Sequence, residues 1–381
     1  SHLDATVREV GNTLKGYFKG RDTLYQIGST QFAAILQGHG VDELAANVEL
    51  HFELHSSQAA PDQRTGTAPA VGLMPFRLGE VSPAQVHRAI HGAAQDARDA
   101  DKPVSIYSAA LDDAHQRRFA LLDALPRAMA ASDQLNLHFQ PRINLHTGTC
   151  DSVEALLRWY HPELGNVGPA EFIPLAEATE LARPLTQWVI DAALGQASAW
   201  RASGLPLKIS VNVSPTNLEE IDFADRVCQA LARHQVPAEV LEIEFTETGL
   251  IRNQTRILAN LSALRAMGIS CAIDDFGTGY SSFSYLKDIP AEIIKIDQSF
   301  MRTLAPDDSS LALVRGMITM AQQLGKRVVA EGVETQIAFD LLQAAGCDEA
   351  QGYLISRPVP AATLSAWIAG RVPGAPFAAA A

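Results

Sequence analysis

The chain has 381 residues, enough for two or three domains, and 47% of them are hydrophobic, so a sizeable core can form. A formal net charge of −13 argues against binding of long nucleic acid, which wants a basic footprint, though a small anionic ligand fits if metal ions supply positive charge locally. Cys150, Cys228, Cys271 and Cys347 stand far apart with no CxxC pair, which speaks against structural zinc and a disulfide framework and for reduced, mostly buried thiols in a cytosolic protein.

Residues 1–110 are mixed in texture and include a polar, turn-rich loop from Ser56 to Ala68. Residues 111–135 carry Leu111, Leu122 and Met129 at helical spacing and read as a linker helix. A third region, 136–370, alternates short apolar strands with amphipathic helices, and 371–381 is a small-residue tail expected to fray. No run of about 18 apolar residues and no secretory leader is visible, so the chain itself is expected to make no membrane contact. A fuller natural protein could be tethered through further segments.

Eight strands are expected in the third region: Leu137–Pro141, Ser152–Arg158, Leu207–Val213, Val240–Thr246, Ser270–Asp275, Ile293–Asp297, Arg327–Glu331 and Glu349–Ile355. Helices are expected at Phe172–Ala202, Phe223–His234, Gln254–Met267, Ser281–Lys287, Leu311–Leu324 and Gln336–Ala345. Such alternation over about 240 residues predicts an α/β fold, a TIM-like (β/α)8 barrel behind a smaller α+β domain. A doubly wound open sheet is the runner-up, but no Gly-rich phosphate loop follows the first strand. Only the turn Asn144–Gly148 joins the first two strands, too short for a crossover, so that pair is expected to be antiparallel.

Polar residues fall at the ends or interiors of seven successive strands: Glu154, Asn212, Glu244, the pair Asp274-Asp275, Lys295, Glu331 and Gln351. Burying so many ionisable groups is costly unless they pair or bind metal, and the carboxyl ends of barrel strands meet at one mouth. Successive residues of a regular strand point to opposite faces, but at a strand end the chain bends and both aspartates can face one site. Carboxylate and amide oxygens suit magnesium or manganese, and no histidine follows His234, which disfavours histidine-ligated zinc or iron. An oxygen cluster of this kind suits two-metal phosphoester hydrolysis.

Each residue also has a plainer reading. Glu154 or Glu244 could be an ion-pair partner, Asn212 a cap, Asp274-Asp275 a turn before Gly277, Lys295 an edge-strand lysine and Gln351-Gly352 a turn. Those readings would have to hold at seven consecutive strands. Gly277-Thr278-Gly279 could cradle phosphate or simply link strand to helix; its place directly after the aspartates favours a mobile active-site loop.

The strings Phe139-Gln140-Pro141, Glu154-Ala155-Leu156-Leu157-Arg158-Trp159, Asn212-Val213-Ser214, Glu244-Phe245-Thr246-Glu247, Asp274-Asp275-Phe276-Gly277-Thr278-Gly279-Tyr280, Lys295-Ile296-Asp297, Ala330-Glu331-Gly332-Val333-Glu334-Thr335 and Gln351-Gly352-Tyr353 together resemble the EAL domain, the cyclic di-GMP phosphodiesterase family. The resemblance implies hydrolysis of cyclic di-GMP to linear 5'-pGpG with two divalent ions, Mg2+ or Mn2+. It implies that Glu154, Asn212, Glu244 and Asp274 hold one ion, and that Asp274 and Asp275 hold the second with Glu331 nearby. Lys295 would position the attacking water, Glu331 or the metals would help deprotonate it, Gln351 would support the network, and Glu247 would anchor the loop after Asp275. Substrate contacts would come from Gln140, Leu156, Arg158, Asp297 and Glu334. A homodimer is expected, as is a cytoplasmic bacterial location.

Some family members keep the fold as receptors without turnover, and that alternative stays open, as does a different barrel enzyme using Lys295 as a Schiff-base lysine. Arg142, Asn144 and Thr248-Gly249 depart from the family pattern outside the ligand set. The front region resembles part of a GGDEF domain, the diguanylate cyclase family, with Gly28-Ser29-Thr30-Gln31-Phe32 at the signature position. Both signature acids are absent, and Lys19 replaces the arginine of the inhibitory site beside Asp22, so a regulatory or dimerising remnant without cyclase activity is expected.

Overall fold

The computed structural model describes residues 23–28, 30–37, 40–56, 70–246, 254–278, 286–306 and 309–372. The chain divides into two compact units between Phe119 and Ala120. Among the described residues no helix is long and apolar enough to cross a membrane.

The first unit pairs β1 (Thr23–Gln26) with β2 (Phe32–Ile35) antiparallel and β3 (Val71–Leu73) with β4 (Val104–Ile106) in parallel. The helix Pro83–Asp99 connects β3 to β4, starts at a Ser82–Gln85 capping box, and buries Ala89, Ala93 and Ala97 at helical spacing. Gly28, Thr30 and Gln31 lie in the turn between β1 and β2, where Ile27 N–H donates to the Gln31 carbonyl at 3.0 Å. Lys19, Asp22 and Ser29 lie outside the described residues.

The helix expected over 111–135 spans Ala109–Ala130, ending early because β5 already begins at Leu135. Eight strands close the barrel of the second unit: β5 (Leu135–Asn144) and β6 (Ser152–His161), then, after the short edge strand β7 (Gly165–Val167), β8 (Lys208–Asn212), β9 (Leu241–Thr246), β10 (Ser270–Phe276), β11 (Ile293–Ile296), β12 (Arg327–Ala330) and β13 (Glu349–Ala350). β5 runs antiparallel to both β6 and β13, and every other barrel pairing is parallel. The closed ring is the expected barrel with its inverted first strand, and it rules out the open sheet. A last short strand, β14 (Val359–Pro360), pairs with β5 outside the ring.

Several boundaries differ from the sequence reading for local reasons. β5 passes through Pro141 to Asn144, with Pro141 opposite Val153. The single helix expected over 172–202 is two, Pro169–Glu177 and Ala182–Ala202, because Pro184 has no N–H to give the preceding turn. The expected final strand is only Glu349–Ala350, since the chain turns at Gly352, where Ile355 N–H meets the Gly352 carbonyl. Of the helix expected at Ser281–Lys287, residues 281–285 lie outside the described residues. Cys271 and Cys347 are buried as expected, Cys150 is half-buried and Cys228 is exposed.

Helices clothe the outside of the ring through apolar faces; Phe223, Val227, Ala230 and Leu231 of Phe223–His234 are buried. Of these, Phe223, Val227 and Leu231 each contribute about 1.5–3 kcal/mol on burial. Strand alternation then sets the interior. Ala272, Ile293 and Val329 form an apolar cluster of their own on β10–β12, two residues before Asp274, Lys295 and Glu331. On the opposite side, Arg142, Ser152, Ser210, Glu242 and Glu349 are buried polar residues one inward step from Gln140, Glu154, Asn212, Glu244 and Gln351.

Candidate active site

Lys295 is wholly buried and centres the site. Its Nζ lies 2.6 Å from Glu244 Oε2, 2.6 Å from Glu331 Oε1, 3.2 Å from Asp274 Oδ1 and 3.7 Å from Glu154 Oε2. Four strands therefore bring four carboxylates to one ammonium, and the edge-strand reading of Lys295 fails. Burial alone would strip its proton, but Asp274, Glu154, Glu244 and Glu331 outweigh that and hold it well above the usual lysine range. An amine ringed by four carboxylates is favoured as the ammonium, which does not suit a Schiff-base role.

Glu154 is fixed from both sides. Asn212 Nδ2 donates to its Oε1 at 2.7 Å, and Gln351 Nε2 donates to its Oε2 at 2.6 Å. Burial pushes its carboxyl up, but Lys295 and these two amides prevail and lower it. Gln351 Nε2 also reaches Gln140 Oε1 at 3.0 Å, and Gln140 Nε2 donates to the Ser356 carbonyl. Gln351 Oε1 is buried with no hydrogen-bond partner. The chain reaches this geometry because Gly352 has no side chain: a Cβ there would stand 2.2 Å from both the backbone N and O of Val333.

The aspartate pair lies where β10 bulges between Ile273 and Phe276. Asp275 adopts a left-handed φ of +53°, which aspartate tolerates better than most residues, and its N–H donates to Asp274 Oδ1 at 3.0 Å. This bend is what lets neighbours on one strand share a site. Ligand oxygens of Asp274, Asp275 and Glu331 lie within 4.8 Å of one another. Burial, Asp274 and Asp297 raise the Asp275 carboxyl. Glu331 is pushed up to about 8, chiefly by burial, with Asp274 and Glu154 adding to it against the pull of Lys295. Glu244 is raised strongly, by burial first and then by Glu154 and Asp274 against Lys295. Five carboxylates, all oxygen donors, crowd together, and four of them converge on the one lysine. That excess of acid is what a hard divalent cation would relieve, so the residues fit Mg2+ or Mn2+.

The remaining expected residues are placed less centrally. Leu156 and Arg158 follow Glu154 on the same face of β6, both half-buried, and Arg158 Nη1 donates to the Leu157 carbonyl at 2.8 Å. Asp297 caps the short helix Gln298–Met301, its Oδ1 accepting from Ser299 N–H at 2.9 Å. Glu334 is exposed and lines a small hollow with Met301, Arg302, Leu304, Gly332 and Thr335. Glu247 and the segment from Gly279 to Tyr280 lie outside the described residues. Gly277, at φ +97°, sits against Phe300, whose ring a Cβ would meet at 2.8 Å.

Sequence reasoning missed the layer beneath. Arg142 is buried under the site, its Nη1 2.6 Å from Glu242 Oε1 and its Nε 3.2 Å from Glu349 Oε2. Glu242 and Glu244 stand two residues apart on β9, so an inward Glu244 implies an inward Glu242, and a buried Glu242 demands a cation. That signal was available.

Residues 122–358 match the EAL domain model. The chain belongs to the EAL domain family. A cyclic di-GMP phosphodiesterase of Pseudomonas aeruginosa is 45% identical over 281 residues, covering 74% of this chain and 48% of that protein. The bifunctional diguanylate cyclase/cyclic di-GMP phosphodiesterase MucR of the same organism is 32% identical over 379 residues, covering 97% of this chain and 54% of that protein. This EAL chain thus spans about half the length of these curated relatives. Among solved structures, the PaMucR phosphodiesterase in complex with cyclic di-GMP superposes with a TM-score of 0.61 at 41% identity, covering 64% of this chain and 99% of that one.

Proposed function

We propose that this chain is a cyclic di-GMP phosphodiesterase that hydrolyses its substrate to linear 5'-pGpG at the barrel mouth. The observation that carries the reading is the buried Lys295 ringed by Glu154, Glu244, Asp274 and Glu331, in an EAL chain whose 45%-identical relative is a cyclic di-GMP phosphodiesterase. Glu154, Asn212, Glu244 and Asp274 would hold one divalent cation, and Asp274 and Asp275, with Glu331 nearby, the second. Such cations, when bound, supply charge that activates water and stabilises the attacked phosphate. Lys295 would position the attacking water, and Glu331, beside it, or the metals would help deprotonate it. Water oxygen bonds to phosphorus as one P–O3' ester bond breaks, and the departing 3' oxygen takes up a proton from solvent at the mouth to end as the free 3' hydroxyl of pGpG. Gln351 and Asn212 hold Glu154 in place. Arg158, Asp297, Gln140, Leu156 and Glu334 contact the dinucleotide, and Glu247 anchors the loop after Asp275.

The front unit is proposed to be a GGDEF-like remnant that regulates or dimerises a cytoplasmic enzyme. The MucR match supports this, since it extends over nearly the whole chain, and no acid stands among Ser29, Thr30 and Gln31 to serve a cyclase. The deciding experiment is incubation of the purified chain with cyclic di-GMP and Mg2+ or Mn2+, with and without chelator. Metal-dependent appearance of pGpG is expected. Tight dinucleotide binding without product would overturn the enzymatic reading in favour of a receptor.

A further inference from the structure

The floor of the barrel is chemically lopsided. On β10–β12 it is Ala272, Ile293 and Val329, the apolar filling usual for such barrels. On the other side it is a fully buried guanidinium, Arg142, between Glu242 and Glu349. A buried ion triad of this kind is seldom more stable than apolar residues of the same volume, and the apolar half shows that this floor accepts them. Stability alone therefore does not account for Arg142.

Its position does. Ser152 Oγ accepts from Arg142 Nε at 3.0 Å and Glu349 Oε2 lies 3.2 Å from the same nitrogen, while Glu242 Oε1 holds Nη1 at 2.6 Å. Three side chains on three different strands thus fix the guanidinium. So fixed, Nη1 also stands 3.4 Å from Oε1 of Glu244, the oxygen that Lys295 leaves free. The Glu244 carboxylate is held at one oxygen from below by Arg142 and at the other from the mouth by Lys295. We propose that Arg142 is a positioning residue for divalent-cation binding: clamped by Glu242 and Glu349, it orients the Glu244 carboxylate toward the metal pocket. The proposal rests on the reading of Glu244 as a metal ligand.

Partners that orient a ligating carboxylate typically change metal affinity about 10–100-fold when removed. Arg142→Met alone would strand Glu242 without a cation, so the informative variant is Arg142→Met combined with Glu242→Gln. That pair removes one positive and one negative charge, leaving the net charge beneath the site unchanged, while Glu349 keeps Arg327 at 2.7 Å. Any change in metal affinity then reports orientation rather than long-range charge. Arg142→Lys is the second variant: it retains the charge but replaces the fork by a single ammonium, which cannot serve Glu242, Glu349 and Glu244 together.

The test is calorimetric titration of Mn2+ into the full chain and its variants, with circular dichroism and melting curves to establish folding, and with Mn2+-dependent kinetics alongside. Wild type is expected to bind Mn2+ and Glu244→Ala to bind far more weakly. Arg142→Met/Glu242→Gln is expected to melt cooperatively yet bind Mn2+ about 10–100-fold more weakly. Its turnover would recover at raised Mn2+, with the KM for cyclic di-GMP unchanged. Arg142→Lys is expected to shift affinity in the same direction. Wild-type Mn2+ affinity in whichever of these variants folds would overturn the proposal while leaving the metal reading intact. Absence of Mn2+ binding by wild type would overturn both.

Discussion

Lys295 and Glu244 form an ion pair 2.6 Å long in which neither side chain is reached by solvent. The pair cannot be justified by stability alone, because desolvating both charges offsets most of their attraction. Its sense lies in the surroundings: the same ammonium also serves Glu331, Asp274 and Glu154. Lys295 is therefore the main counter-charge that the protein itself supplies to a cluster a divalent cation would also neutralise.

Lys295→Ala is accordingly expected to destabilise the metal-free protein by about 3–5 kcal/mol, the usual cost of stranding a buried charge. Much of that loss is expected to return when Mn2+ is added, since the cation takes over the neutralising role. Turnover is expected to fall by about 10²–10⁴, the range for losing a group that steers proton transfer, with a smaller change in KM. Melting curves in chelator and in Mn2+, with steady-state kinetics, check all three. An equal loss of stability with and without Mn2+ would mean that the carboxylates do not share a metal.

Glu154→Ala separates chemistry from fold. The substitution frees Asn212 and Gln351, but Asn212 is solvent-exposed and Gln351 retains Gln140, so no charged group is stranded beyond Lys295, which keeps Glu244, Asp274 and Glu331. Turnover is expected to drop by about 10²-fold or more, while the circular dichroism spectrum stays that of wild type. Near-normal hydrolysis by this variant would remove Glu154 from the ligand set.

How much of this site could be read from the sequence depended on periodicity. Glu154, Glu244, Lys295 and Glu331 were legible because each interrupts or closes an apolar run, and the ring brings the three carboxylates within 3.7 Å or less of the Lys295 ammonium. The eight barrel strands were legible for the same reason. Arg142 was not, because it follows Pro141, where a strand is normally expected to end; only the two-sided pairing of β5 carries the strand onward. Glu349 was missed for another reason: it opens the last expected strand, and as its first residue it interrupts no apolar run that would mark it as facing inward. The break before Ala182 was visible in Pro184 but was masked by apolar spacing that continued across it.

Gly352→Ala tests the mouth through the backbone. The added methyl would stand 2.2 Å from Val333 N and O, and main-chain atoms cannot step aside as a flexible side chain can. Val333 N–H donates to the Gln351 carbonyl at 3.0 Å, so the strain falls on the strand ends that carry Glu331 and Gln351. A destabilisation of about 1–3 kcal/mol is expected, as for other overpacked sites, with weaker Mn2+ binding because Gln351 would shift from Glu154. Denaturant unfolding and metal titration check it, and unchanged Mn2+ affinity would uncouple this turn from the site.

Asp191 offers a test of the barrel's outer layer through pH. It lies on Ala182–Ala202 and accepts from Arg233 Nη2 at 2.6 Å and from Gln187 Nε2 at 3.1 Å, with His234 Nε2 3.1 Å away. Burial works to raise its carboxyl, but these partners outweigh it and hold the group below the usual aspartate range. A carboxyl lowered in the folded state binds its proton less readily there than in the unfolded chain. Its contribution is therefore present above the unfolded value and lost as pH falls through the folded one. The side chain is about a third exposed, so solvent screens the pair, and Asp191→Asn is expected to cost only about 0.5–1 kcal/mol at pH 7. The difference from wild type is expected to shrink below about pH 4 and vanish once the carboxyl is protonated in both states. Urea unfolding of the two proteins at pH 7 and at decreasing pH measures it. A difference that persists unchanged at low pH would assign the effect to packing of the helix rather than to the charge on Asp191.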